Sequence, residues 1–216
     1  MPIDHLSFTK LMVVVFMLTS LAGCQTSDAM GYSFNDGSIS PPLEIDDIKF
    51  IDKVINKAKK QTNFKQVFVA GLGTGAHMAL RLAVESQHEI TDVATVSGQL
   101  FAPYNSKKLP TKSLFIYGDS DPFAPTRGGL LQIQNSSLNM PPATKTATHW
   151  AQKLKCATSV SANIAGIVQQ QRWTSYGDHD NMMLLHIRNM GHFWSIPLED
   201  EVSISTTNEL DPTNRV

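Results

Sequence analysis

Two residue types that cooperate in acid–base catalysis follow two apolar segments of this 216-residue chain. Asp121 lies in a Gly-Asp-Ser-Asp-Pro loop after residues 114–117, and His192 lies behind Gly191 after residues 183–187. A carboxylate that accepts a hydrogen bond from an imidazole orients the ring and stabilises its protonated form. The proline after Asp121 restricts the turn that directs this carboxylate. We therefore expect Asp121 and His192 to form an acid–base pair.

A glycine-rich turn joins the apolar residues 67–70 to a segment rich in helix formers. Its spacing matches the sharp strand-to-helix turn Gly-x-Ser-x-Gly, which presents a nucleophilic serine, with Gly71 and Gly75 in place and Gly73 at the serine position. Glycine carries no oxygen with which to attack. Thr74 is adjacent, but the residue after the nucleophile enters the helix with its side chain turned away, so we do not expect it to take over this role.

The same turn allows a second interpretation. Gly71-x-Gly73-x-x-Ala76 satisfies the phosphate-binding fingerprint of a dinucleotide fold. That fold needs an acidic residue at the end of the next strand to bind the ribose, whereas Asp92 comes at the beginning of the next apolar segment, residues 93–96. The acid and the histidine that follow later apolar segments favour the nucleophile turn, with the dinucleotide site as the alternative.

These residues need a scaffold of alternating strands and helices. Asp46 and Asp47 precede apolar residues at helical spacing, and lysines gather near residue 60, where the helix dipole favours cations. Short apolar runs at residues 67–70, 93–96, 113–117 and 183–187 predict buried strands. The sequence therefore predicts a small parallel α/β sheet of about four strands, flanked by helices.

Other polar residues are given structural roles. Ser97 closes a predicted strand, His149 is expected to pack in a short helix, and His186 is expected in the core. Residues 178–180, Asp-His-Asp, are contiguous and are expected to form a solvated loop rather than a metal site. No cofactor or metal is expected, and the net charge of -1 gives no reason to expect nucleic acid as a partner.

The N-terminal region is typical of an exported protein. Lys10 precedes the apolar residues 11–18, which are too few to span a bilayer comfortably. The following Leu-Ala-Gly-Cys resembles the bacterial lipoprotein box, in which Cys24 becomes the lipidated N-terminus. The alternatives are an ordinary signal peptide and an uncleaved anchor. Gln25 at the next position favours the outer membrane, which predicts a cell-envelope lipoprotein.

These features divide the chain into four ranges. Residues 1–23 are predicted as a lipoprotein signal peptide, 24–44 as a tether, 45–198 as the folded domain and 199–216 as a polar tail. With Cys24 modified, Cys156 would be the remaining thiol and could form no internal disulfide.

Five motifs in order across residues 46–194 resemble the secreted poly(3-hydroxybutyrate) depolymerase and feruloyl esterase family of α/β-hydrolases. They are the Asp46-Asp47 helix start, the Gly71 to Gly75 turn, Tyr117 to Pro122, His149-Trp150-Ala151 with Cys156, and Gly191 to Trp194. The resemblance implies that Asp121 is the acid and His192 the base, and that Gly73 occupies the nucleophile position. It also implies missing N-terminal strands, which in the family supply part of the oxyanion hole.

The resemblance predicts a lipid-anchored, catalytically impaired ester-hydrolase homologue that binds an ester, an aromatic small molecule or another protein. The alternative is an active hydrolase that uses Thr74 or a water molecule activated by His192. Without its outer neighbour, the strand before Gly73 would form an exposed sheet edge, which invites a homodimer or a partner chain.

Overall fold

A computed structural model describes residues 12–17, 34–38, 44–62, 64–103, 109–133, 136–175 and 180–194. Nine strands and three helices lie in these ranges. They are β1 (Met12–Met17), α1 (Asp47–Thr62), β2 (Gln66–Leu72), α2 (Thr74–Glu85), β3 (Asp92–Val96), β4 (Lys112–Gly118), β5 (Gly129–Ile133), β6 (Ser136–Met140), α3 (Ala143–Lys153), β7 (Thr158–Ile164), β8 (Val168–Thr174) and β9 (Asp180–Ile187).

Seven of the strands form one mixed sheet in the order β1-β2-β3-β4-β9-β8-β7. β1, β2, β3, β4 and β9 are parallel neighbours, and β8 and β7 continue the sheet in antiparallel pairing. The predicted α/β fold class is confirmed. The predicted number of about four strands is too low, because residues 12–17 were predicted as part of an export signal and the polar hairpin of β7 and β8 lacks the apolar runs on which that count was based.

The helices share one face of the sheet. Because β1, β2 and β3 follow one another in a single direction, right-handed crossovers place α1 and α2 on the same side. One buried cluster joins Ile55 of α1, Met78 of α2 and Trp150 of α3 to alternate residues of the parallel strands. A smaller cluster around Leu72 lies at the carboxyl end of the sheet.

The strand before Gly73 is not at an edge of the sheet. Met12–Met17 pairs with it in parallel, with Met17 opposite Gly71. In the whole chain β1 therefore covers this strand, and β1 and β7 are the outermost strands of the described sheet. The exposed edge was predicted for the chain without residues 1–23, and it stays a prediction. Met12–Met17 falls inside the range predicted as a signal peptide, so cleavage before Cys24 would remove β1.

Cys24 and residues 199–216 lie outside the described residues, so the lipid anchor and the chain's four predicted ranges stay predictions. Residues 34–38, inside the predicted tether, pack on the domain. The backbone amide of Asn35 donates to Oδ2 of Asp47 at 2.7 Å, and Asp36 is buried. None of the described helices combines the length and apolar character needed to cross a membrane.

Candidate active site

The glycine-rich turn is built by backbone hydrogen bonds. Gly73 lies between the end of β2 and the start of α2, with φ of 57° and ψ of -122°. Its amide donates to the carbonyl of Val96 at 3.0 Å, and its carbonyl accepts from the amides of Ala76 and His77, each at 3.0 Å. A positive φ favours glycine, because other residues place a Cβ against the backbone there. The turn is therefore sharp and firmly held.

The glycine on the strand side of the turn is needed for a different reason. A Cβ on Gly71 would lie 2.2 Å from the carbonyl oxygen of Gly75. The strand and the first turn of α2 approach too closely for any side chain at this position. The Gly-x-Gly-x-Gly pattern thus produces the tight strand-to-helix connection that the sequence predicted.

Asp121 follows β4 in a loop that fixes its carboxylate. Oδ1 accepts hydrogen bonds from the amides of Phe123 at 2.8 Å and Ala124 at 2.9 Å. The residue is buried, with 4% of its surface exposed. These local bonds hold one oxygen of the carboxylate in place.

His192, after β9, lies against this carboxylate. Its Nδ1 is 2.9 Å from Oδ2 and 3.1 Å from Oδ1 of Asp121. Because an ionised carboxylate only accepts hydrogen bonds, Nδ1 carries the proton and Nε2 is the basic atom in the neutral ring. The ring of Phe123 packs edge-on against the imidazole, with 5.3 Å between centroids. The structure thus brings together the acid and the base that the sequence predicted.

Ser97 is a member of the site that sequence reasoning missed. This buried residue follows β3, has φ of 57°, and donates its hydroxyl to Oδ2 of Asp121 at 2.5 Å. The sequence interpretation as a serine that merely closes a strand is incomplete, because the contact joins residues 24 positions apart. A buried non-glycine residue in the left-handed region is a signal of function or constraint, but it is visible only in coordinates.

The environment keeps Asp121 ionised. Burial alone would raise the pKa of this carboxyl, but the hydrogen bonds from His192 and Ser97, the charge of His192 and the amide of Phe123 outweigh it and hold the pKa below its usual value. The ionised carboxylate of Asp121 therefore orients the ring of His192 and does not take up its proton.

The basic atom of His192 faces Gly73. A Cβ built on Gly73 would lie 2.7 Å from Nε2 and 3.1 Å from Cε1 of His192. Nε2 therefore lies inside the space that a side chain on residue 73 would need. Asp121, His192 and residue 73 therefore lie together, and residue 73 has no side chain.

Thr74 is the first residue of α2. Amides in the first turn of a helix have no carbonyl partner within the helix, so the Thr74 amide is suited to stabilise an oxyanion. Across the residues that the structure describes, no hydrogen bond joins the Thr74 hydroxyl to His192, whose ring bonds to Asp121. The expectation that Thr74 does not replace the nucleophile stays a prediction.

The dinucleotide alternative does not fit this turn. Asp92 begins β3, at the end of the sheet opposite Gly73, so it cannot bind a ribose beside the turn. Dinucleotides bind where the order of strands reverses, whereas β2 lies between its sequence neighbours β1 and β3. His192 also covers Gly73.

A second buried acid–histidine pair joins Asp36 to His77 of α2. Nδ1 of His77 is 3.0 Å from Oδ2 of Asp36, and the hydroxyl of Ser38 donates to Oδ1 of the same carboxylate at 2.6 Å. Burial would raise the pKa of Asp36, but the hydrogen bonds and charge from His77, together with Ser38, lower it. The pair fastens residues 34–38 to the helix that begins at the candidate site.

The remaining candidates have other surroundings. His149 lies on the exposed side of α3, so the packing role predicted for it is wrong. His186 lies in β9, where burial lowers its pKa while the charge of Asp119 opposes that effect. Burial raises the pKa of the free Cys156 thiol. Asp178 and His179 lie outside the described residues, and no group of metal-ligating side chains occurs among the residues that are described.

Comparison with known proteins relates the chain to esterases. It is 42% identical over 64 residues to the protein named "Putative esterase NocK" of Nocardia uniformis subsp. tsuyamanensis, a match that covers 29% of this chain and 19% of that protein. No protein-family profile matches the chain. The chain therefore spans about a fifth of the length of this curated relative.

Solved structures give the class of fold. Acetyl xylan esterase from Aspergillus awamori has a TM-score of 0.50 at 12% identity, covering 67% of this chain and 61% of that one. Esterase PE8 has a TM-score of 0.44 at 16% identity, covering 68% and 52%. XC6422 of Xanthomonas campestris, an α/β serine hydrolase without a lid, has a TM-score of 0.40 at 14% identity, covering 77% and 54%. The chain has an α/β-hydrolase-like fold and spans little more than half of each of these structures.

Proposed function

We propose that this protein is a carboxylic-ester hydrolase homologue that has kept the acid and the base and has lost the nucleophile. The observation that carries the proposal is the placement of Nε2 of His192 directly against Gly73. Ester hydrolysis through an acyl-enzyme needs an oxygen at this point, which the histidine activates and which attacks the carbonyl carbon. Glycine supplies no such atom.

The retained groups support ligand binding instead of turnover. The amides at the start of α2 attract a carbonyl oxygen, and the ring of Phe123, which is 40% exposed, lies beside His192. We infer that the ligand is an ester or an aromatic small molecule, as in the poly(3-hydroxybutyrate) depolymerase and feruloyl esterase family that the motifs resemble. In this proposal the ester binds with its carbonyl near Thr74 and stays intact.

One observation favours a second candidate, a weak hydrolase that uses water. Nδ1 of His192 is bonded to Asp121, and among the described residues no hydrogen bond occupies Nε2. A ring held in this way can remove a proton from water that attacks an ester. This route lacks the covalent intermediate, so it would be far slower than a serine-dependent reaction.

Turnover of p-nitrophenyl butyrate distinguishes the two candidates. The wild type and His192→Ala are compared over a range of protein concentrations, with ester binding followed by the imidazole NMR signals of His192. The first proposal predicts equal background rates in both proteins and a shift of the His192 signals by intact ester. A rate that rises with wild-type concentration and is lost in His192→Ala would replace it with the water-dependent hydrolase.

We further propose that the protein is anchored in the bacterial envelope through lipid on Cys24. The Leu-Ala-Gly-Cys sequence and the apolar residues before it support this assignment. Cells fed radiolabelled palmitate should label the wild type and not Cys24→Ser. An unlabelled wild type would exclude the anchor without affecting the proposal for Gly73.

A further inference from the structure

The outward side of α1 is both apolar and basic. Phe50 and Val54 are 62% and 45% exposed, although the large apolar side chains of a helix usually face the core. Four exposed lysines lie beside them, three or four positions apart: Lys49, Lys53, Lys57 and Lys60. We call these six side chains the α1 surface.

Helical spacing places the six side chains on one side of α1. Residues three and four apart in an α-helix are neighbours on its surface, so the lysines form a stripe along the helix. Phe50 and Val54 form a second stripe next to it. The opposite side of the helix carries Ile51 and Ile55, which are buried in the core. The α1 surface therefore faces away from the core of the domain.

The positive charge of the α1 surface is not balanced within the helix. Between Lys49 and Thr62, all of which the structure describes, the single acidic residue is Asp52. Asp52 is buried and accepts a hydrogen bond from the hydroxyl of Ser86 at 2.6 Å. Among the described residues no salt bridge joins any of the four lysines to a carboxylate. The ammonium groups are thus available to an anionic partner.

The combination of apolar and basic groups distinguishes between anionic partners. A nucleic acid would pair with the lysines and leave Phe50 and Val54 against phosphate and sugar. The surface of an anionic bilayer offers a match for both stripes, because its headgroups attract lysines and its acyl chains accept apolar side chains. The α1 surface therefore fits a lipid surface best.

The chain leads from the proposed lipid anchor to this helix. Residues 25–33 connect Cys24 to the described residues 34–38, and a segment of this length reaches at most about 35 Å. Asn35 is fastened beside the start of α1, because its Nδ2 donates to the carbonyl of Ile45 at 2.8 Å. An anchor at Cys24 would therefore hold α1 near the bilayer. This step rests on the proposed anchor, whereas the exposure and the charge of the α1 surface do not.

We propose that the α1 surface docks on anionic phospholipid. The four lysines lie at the headgroups, and Phe50 and Val54 insert at the boundary with the acyl chains. The partner is a lipid surface and not the ester proposed for the site at Gly73, so the two proposals stand separately.

A fluorophore that responds to a nonpolar environment tests the docking. The full chain carries Cys24→Ser and Cys156→Ser, which removes the site of acylation and the other thiol, and the label is attached to Val54→Cys. We expect its emission to shift to shorter wavelength with vesicles that contain phosphatidylglycerol, and far less with vesicles of phosphatidylcholine alone. Val160→Cys is the matched control, because Val160 is a valine with 56% exposure on the outermost strand β7. A label there should not shift.

The lysine stripe is tested by Lys53→Gln combined with Lys57→Gln in the labelled protein. Each lysine near an anionic surface contributes about fivefold in affinity, so this pair should weaken binding about 25-fold. Lys112→Gln combined with Arg188→Gln is the control, since it removes the same charge from exposed residues outside α1 and should have little effect. Circular dichroism verifies that the variants fold. High salt provides a second measurement that needs no substitution, because it screens the attraction.

A shift at residue 54 with anionic vesicles that is weakened by the α1 lysine pair and by high salt supports the docking. Three results overturn it: no shift at residue 54 with anionic vesicles, equal shifts at residues 54 and 160, and equal weakening by the two pairs of substitutions. A shift with soluble polyglutamate but not with vesicles would also overturn it, in favour of an acidic protein. None of these results bears on acylation, because the tested protein lacks Cys24.

Discussion

Nε2 of His192 lies 2.7 Å from the point that a Cβ on Gly73 would occupy. The imidazole therefore occupies the space that a side chain at residue 73 would need. Asp121 holds the ring from the other side through Nδ1, at 2.9 Å. Any residue with a side chain at position 73 must displace this ring or strain the turn, and this conflict leads to the first prediction.

Gly73→Ala should lower the free energy of unfolding by about 1–3 kcal/mol, the usual cost of a non-glycine residue in a strained backbone region. Two effects combine: φ of 57° and the short contact with His192. Urea denaturation measures the change.

Gly191→Ala is the control for Gly73→Ala. A Cβ on Gly191 would make ordinary contacts of 3.7 Å with Phe193, and its φ is not in the left-handed region. We expect a change within about 0.5 kcal/mol for this variant. Equal stability losses in the two variants would show that the contact between Gly73 and His192 has no specific effect.

Ser97→Ala should destabilise the fold and raise the pKa of Asp121. The variant removes the hydroxyl that donates to Oδ2 and leaves a buried carboxylate with one donor fewer, at a cost of about 1–3 kcal/mol. The pKa is followed by the carboxyl signal in NMR titration, and the stability by urea denaturation.

Ser97→Gly separates the two properties of this residue. It removes the same hydroxyl but relieves the positive φ of 57°. It should raise the pKa of Asp121 as much as Ser97→Ala does while costing less stability. An unchanged pKa of Asp121 in both variants would mean that Ser97 does not donate to this carboxylate in solution.

His77→Leu should destabilise the protein by about 3–5 kcal/mol, because it leaves the buried Asp36 carboxylate without its main partner. Asp36→Leu combined with His77→Leu should recover part of this loss, since the double variant leaves no unpaired charge. Urea denaturation of the two single variants and the double variant completes a thermodynamic cycle. Additive losses would show that the two residues do not interact.

Stability should decrease below about pH 5, because the pKa values of Asp36 and Asp121 are both lower in the folded protein than in the unfolded chain. A carboxylate with a lowered folded pKa contributes its full stabilisation above the unfolded pKa and loses it as the pH falls through the folded one. The difference in free energy of unfolding between wild type and Asp36→Asn should therefore shrink from pH 6 to pH 2. A constant difference over that interval would contradict the assignment.

Local patterns were enough to predict the part of the fold that carries the candidate site. The three glycines after residues 67–70 predicted the strand-to-helix turn, because only a residue without a side chain fits at Gly71 and Gly73. Asp121 and His192 were predicted from their position after apolar strands. Parallel strands end at the same side of a sheet, so residues that follow them meet.

Other features depend on contacts that no local pattern reveals. The hydrogen bond from Ser97 to Asp121 spans 24 positions, and the pair of His77 with Asp36 spans 41. β7 is exposed along its whole length and has no buried face to produce an alternating pattern. Met12–Met17 has the composition both of an export signal and of a buried strand, and composition alone could not show that it pairs with β2.

An oxygen introduced at residue 73 shows whether this site lacks only its nucleophile. Gly73→Ser and Gly73→Ala introduce the same Cβ and the same strain, and they differ in one hydroxyl. With p-nitrophenyl butyrate, Gly73→Ser should exceed Gly73→Ala by about 100-fold or more and should lose this activity when His192→Ala is added. Equal rates in Gly73→Ser and Gly73→Ala, with both variants folded and His192 still bonded to Asp121, would show that the missing nucleophile is not what silences this site.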